Sequence, residues 1–107
     1  MNIAIMVCEK VTHFCSGVGC FKVFNNKDKA FEIYKNKEDI NLYGFFHCGG
    51  CKSNLNNENL DYKINQLKNL NVIRVHMAKC IEVECYRYDE IKRFLLYKGF
   101  EVIEGTH

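Results

Sequence analysis

Apolar residues along this chain of 107 residues alternate between short continuous runs and stretches with helical spacing. Ile3 to Val7 is an unbroken apolar run, short enough for a strand buried on both faces. From Cys20 to about Tyr34, Val23, Phe24, Ala30, Phe31 and Tyr34 mark roughly one helical face. Asn25-Asn26 stands where that helix would be interrupted or a second one capped. Ile40 to Phe46 reads as a strand rich in aromatic residues. Leu60, Ile64 and Leu67 recur at i, i+4 and i+7 and predict an amphipathic helix over about Asn57 to Asn69. Val72 to Met77 is a third strand. A final helix is predicted from Asp89, a suitable N-cap, through Ile91, Phe94 and Leu95, with Gly99 as its C′ residue. Glu101 to Glu104 closes the pattern as a short strand whose flanking charges suit an edge.

Strands and helices in this order predict a single three-layer α/β domain over residues 1–107. Its four-stranded sheet is expected to be mostly parallel and flavodoxin/Rossmann-like. Right-handed crossovers leave few topologies, and the order 2-1-3-4 is favoured, with a switch point between the first and third strands. In such a sheet every strand-to-helix loop emerges on one edge. Cys8, Cys48 and Cys80 fall at or just past the ends of the first three strands, and His107 falls just past the fourth. Across the edge the order becomes Cys48 and Cys51, then Cys8, then Cys80, then His107. Neighbouring strands are ~4.8 Å apart and zinc–sulfur bonds ~2.3 Å long, so thiolates from adjacent loops can share an ion with modest bending. Two C-x4-C pairs, Cys15/Cys20 and Cys80/Cys85, add donors. Cys20 and Cys51 lie near predicted helix N-termini, where free amides favour thiolate over thiol.

Composition narrows the chemistry. A net charge of +2, with lysines spread along the chain, does not call for nucleic acid or an acidic surface as a partner. No apolar stretch reaches the ~20 residues of a membrane span. The opening Met-Asn-Ile-Ala-Ile-Met-Val lacks a basic region and cleavage site, and reads as a strand rather than a signal peptide. A cytoplasmic location is therefore expected, where dense cysteines mean metal or redox chemistry rather than disulfides. Seven cysteines, an odd number, point the same way. Gly17-Val18-Gly19 is too short for a dinucleotide fingerprint, and no phosphate-binding loop occurs. No arginine stands six residues after Cys8, Cys15, Cys48 or Cys80, as a cysteine phosphatase would need. The absence of proline separates the CxxC from thioredoxin, which sets a cis-proline opposite its dithiol.

Taken singly, Cys15, Cys20 and Cys85 serve equally well as small apolar filler. The set Cys8, Cys48, Cys51 and Cys80 on one edge does not. His47, beside the motif, could serve as a ligand but is better suited to orient the CGGC turn by hydrogen bonding, His76 reads as a core histidine, and His13 carries no information. With these residues assembled, the chain resembles the CGGC domain family over its whole length. The resemblance rests on Cys8-Glu9, on Cys15-Ser16-Gly17-Val18-Gly19-Cys20 and on Gly44-Phe45-Phe46-His47-Cys48-Gly49-Gly50-Cys51. It continues through His76-Met77-Ala78-Lys79-Cys80 and Glu104-Gly105-Thr106-His107. Ser16 and Lys52 stand where proline often follows these cysteines in that family, a change in loop stiffness more than in ligand supply. The resemblance implies metal binding. The expected ligands are drawn from Cys8, Cys15, Cys20, Cys48, Cys51, Cys80, Cys85 and His107, and the expected cofactor is zinc or an iron–sulfur cluster. A thiol–disulfide or sulfur-transfer enzyme using the Cys48/Cys51 dithiol is the alternative. A flavodoxin-like binder of a small molecule ranks third.

Overall fold

Strand β1 (Asn2–Val7) is paired on both sides, with β2 (Asn41–His47) and with β3 (Val72–Met77), and β4 (Glu101–Glu104) adds to β3. This is a computed structural model, and it describes residues 1–107. All three pairings are parallel and the order is β2-β1-β3-β4, as the sequence pattern predicts. Alternation along β1 divides the interior into two layers. Ile3, Ile5 and Val7 face Val23, Phe31 and Tyr34. Ala4, Met6 and Cys8 face the layer that contains Leu60, Ile64, Leu67, Ile91 and Leu95. The second layer is supplied by helices α2 (Glu58–Asn69) and α4 (Tyr88–Tyr97), and the first by α1 (Val18–Asn26) and a 3-10 segment at Lys29–Tyr34.

The helix expected over residues 20–34 is thus two pieces. Lys27 and Lys29 take left-handed φ values of 57° and 53°, and the Lys27 amide turns back to the Phe24 carbonyl, so the chain cannot continue as one helix. The last helix starts two residues earlier than an N-cap at Asp89 would give, with Arg87 at its N-cap. Two short elements carry no periodic pattern long enough to read: a 3-10 segment at Glu9–His13 and α3 (Lys79–Glu84). Gly99 (φ 93°) occupies the C′ position after α4. Gly44 sets how closely α2 lies on the sheet. A β-carbon there would stand 2.5 Å from Leu67 Cδ2 and 2.9 Å from Ala4 Cβ.

The first layer encloses a polar chain. His76 is fully buried, stacked on Phe31 with ring centroids 4.3 Å apart. Its Nε2 lies 2.7 Å from the Tyr34 hydroxyl and its Nδ1 lies 3.3 Å from the Gly105 carbonyl. Arg74 donates to the same hydroxyl at 3.3 Å and pairs with Glu101 at 2.8 Å. Burial drives the imidazole pKa down from 6.5 to about 4, opposed by the Gly105 bond and aided by the Arg74 charge. The unfolded chain takes up this proton first as pH falls, so the stability tied to neutral His76 is present above pH 6.5 and lost on descending towards pH 4. The loss is expected to be roughly 3 kcal/mol. Urea midpoints measured from pH 7 to 4 check this, and His76→Gln removes the slope between those limits.

Candidate functional site

Parallel pairing delivers three strand-to-helix connections, and the residues after β4, to one edge. Cys8 follows the last residue of β1, Cys48 follows β2, and Cys80 stands in the first turn of α3 just beyond β3. The Cys8 amide donates to Cys80 Sγ at 3.2 Å, so two cysteines 72 positions apart in sequence are in contact. Cys8 and Cys48 are buried, each exposed to less than a tenth. The CGGC turn takes left-handed backbone at Gly49 (φ 99°) and Gly50 (φ 127°), which other residues rarely adopt. The Gly50 amide thereby points at Cys48 Sγ, 3.5 Å away. The Gly49 amide donates to His47 Nδ1 at 3.0 Å. His47 therefore orients the turn, and burial followed by the nearby Lys63 charge keeps its pKa below the ordinary imidazole value. Cys51 is not at a helix N-terminus. A turn intervenes before α2 begins at Glu58.

Cys85 joins the same neighbourhood. Burial pushes its thiol pKa up, and the thiols of Cys8, Cys48 and Cys51 push it further. Its position is fixed by Arg87, whose Nη1 donates to the Cys51 carbonyl at 2.9 Å and to the Ser53 carbonyl at 2.8 Å. Glu90 holds the other edge of the guanidinium at 3.1 Å, and only a tenth of the Arg87 side chain is exposed. The Tyr86 hydroxyl also donates to the Cys51 carbonyl, at 3.1 Å. The segment after Cys80/Cys85 is thus bolted to the CGGC turn by a planar fork that lysine does not offer.

On the other flank, Cys15, Cys20, Cys8, Cys80 and His107 line one cavity of about 280 Å³. Cys20 is buried in the first turn of α1, and its thiol donates to Thr106 Oγ1 at 3.6 Å. Thr106 is itself buried. It accepts the Lys79 amide on its hydroxyl at 3.2 Å and the Ala30 amide on its carbonyl at 3.2 Å. His107 Nδ1 lies 3.1 Å from the same hydroxyl, and its ring covers Gly19. Burial raises the pKa of Cys20, with Cys15 adding to the rise, and burial raises that of Cys80, with Cys8 and Cys20 adding.

All seven cysteines are free thiols. They divide around Cys8 into a CGGC side (Cys48, Cys51, Cys85) and a cavity side (Cys15, Cys20, Cys80, His107). The donor chemistry fits a soft metal, because adjacent thiols that disfavour one another's ionisation are stabilised as thiolates by a cation. Their present arrangement is open: no three His, Cys, Asp or Glu side chains stand together as a ready coordination group. Sequence reasoning missed Arg87 and Thr106. An arginine two residues after a cysteine pair was the only trace of the first. The second is legible only once β4 is placed beside β3.

Arg87→Gln is expected to leave the Cys51 and Ser53 carbonyls short of a partner, at about 1–3 kcal/mol. Amides of residues 48–54 should exchange with solvent faster. Arg87→Lys should restore the charge but not the protection. Hydrogen-exchange mass spectrometry with urea unfolding separates these outcomes.

The family model described as the CGGC domain matches residues 2–107. An uncharacterized protein of Methanocaldococcus jannaschii is 33% identical, the match covering 100% of this chain and 87% of that protein. No solved structure matches. No helix is long and apolar enough to cross a membrane. With its cysteines and glycines in the order described and the match running nearly end to end, the chain belongs to the CGGC domain family.

Proposed function

We propose that the protein binds a metal ion or cluster through cysteine thiolates at the C-terminal edge of its sheet. The principal donors are Cys8, Cys48, Cys51 and Cys85, with Cys80 at the junction. Cys15, Cys20 and His107 form a second donor group around the adjoining cavity. The observation that carries this reading is the meeting of Cys8 with Cys80 across β1 and β3, with Arg87, two residues after Cys85, tying that segment to the CGGC turn. Structural zinc staples domains too small for a core of their own. This domain buries a core in two layers, so the metal is functional rather than supportive. Four thiolates suit zinc and a cubane cluster alike, and seven leave room for a second site or a polynuclear one.

The role of the chain itself is to gather the donors, exclude water from Cys8 and Cys48, and hold the CGGC turn through His47 and Arg87. A bound metal would supply Lewis-acid or electron-transfer chemistry. The alternative, a thiol–disulfide or sulfur-transfer enzyme, would use Cys48 and Cys51. Its support is the Gly50 amide aimed at Cys48 Sγ. Against it, burial raises the thiol pKa of Cys20, Cys80 and Cys85, so their surroundings activate none of them.

Anaerobic purification followed by metal and sulfide analysis and visible absorption tests the proposal. Brown protein with iron and sulfide selects a cluster, and colourless protein with stoichiometric zinc selects zinc. Metal-free protein that does not load either, with a full thiol titre and one thiol of low pKa, selects the redox enzyme. Cys8→Ser and Cys85→Ser are each expected to weaken metal retention by on the order of 100-fold, at or above the loss seen when a supporting residue is removed. Competition with a chromogenic chelator measures it. Equal and negligible effects would reject the edge site.

A further inference from the structure

The cavity lined by Cys8, Cys15, Cys20 and Cys80 is more than a gap between ligands. Its floor is the thiol group already described, but most of its surface is apolar, formed by Val7, Val11, Phe14, Phe45 and Val83. Phe14 and Val83 are otherwise heavily exposed, at 81% and 66%, so the chain holds apolar side chains in water around a set of soft donors. Phe45 is propped at the opening by Phe21, with ring centroids 5.1 Å apart. At about 280 Å³ the space is near the lower end of the range for small-molecule pockets, ~300 Å³ upward, and admits a ring-sized group.

We propose that this pocket receives small apolar molecules bearing a thiophilic centre, of the class of mono-organic arsenic(III), with Cys15 and Cys20 taking the soft atom and the apolar wall its organic substituent. Capture is a ligand exchange. Two S–H bonds and the bonds from arsenic to oxygen break, two As–S bonds form, and the oxygen leaves with both protons as water. Arsenic stays trivalent and no oxidant is needed. Cys15 and Cys20 belong to the second donor group of the metal-binding reading, so the inference deepens that part of it and is tested apart from metal binding at Cys8, Cys48, Cys51 and Cys85.

The test uses the reduced, metal-stripped full chain carrying Cys51→Ser, in which the CGGC pair cannot close. Phenylarsine oxide and inorganic arsenite are titrated, read by native intact mass and by loss of titratable thiols. The expected result is one phenylarsenic per chain with two thiols consumed. Preference over arsenite should be at least tenfold greater than that of dithiothreitol. Adding Cys15→Ser, an exposed position, should abolish the two-thiol adduct. Phe14→Ser with Val83→Ser should lower the aryl preference severalfold while leaving arsenite uptake unchanged. A two-thiol adduct that survives Cys15→Ser, or a preference no greater than that of dithiothreitol, overturns the proposal.

Discussion

The parallel pairing of β1 with β2 on one side and β3 on the other is the constraint from which the rest follows. A strand buried on both faces and bonded on both edges has one register available, because a slip of one residue would exchange its two apolar sets. That register fixes where Val7, His47 and Met77 end, and therefore where Cys8, Cys48 and Cys80 begin. No cysteine is joined to another by a covalent bond, yet their separation is set by sheet geometry.

The loops beyond those strand ends are held by hard, polar anchors although their cargo is soft sulfur. Arg87 fastens the CGGC side through two carbonyls, and Thr106 fastens the cavity side through two amides and a thiol. This division has a physical logic. Thiols make weak hydrogen bonds and cannot position themselves. Leaving placement to guanidinium, hydroxyl and backbone groups keeps each sulfur available. The cost appears as raised pKa values at Cys20, Cys80 and Cys85, where burial and neighbouring sulfur oppose ionisation together.

The architecture was legible in the sequence because its elements announce themselves through periodicity. The β1 run, the Leu60/Ile64/Leu67 spacing and the Gly99 stop each reflect burial or backbone geometry that single residues encode. The break after Asn26 was visible as a possibility, but the left-handed backbone at Lys27 and Lys29 has no side-chain signature, unlike a glycine. The helix of six residues that carries Cys80 is shorter than two turns and leaves no period to read. For the candidate site, the strand-end cysteines follow from topology, whereas the approach of Cys85 to Cys48 and Cys51 does not. That approach depends on Arg87 crossing between loops 36 residues apart, a long-range contact that local pattern cannot contain. The pocket was equally hidden, since Phe14, Phe45 and Val83 come from three separate parts of the chain: the loop before α1, strand β2 and helix α3.

The bond from His76 to the Gly105 carbonyl ties the rim to the middle of the sheet. Since Ala30 grips the next residue from the 3-10 segment, the wall that carries His107 is mechanically continuous with the aromatic layer beneath α1. Loosening Phe31 or Tyr34, which share their core layer with Cys20, would therefore let that wall drift and widen the chamber in front of Cys20. Tolerance for change in this layer is set by how firmly the His76 imidazole must be held.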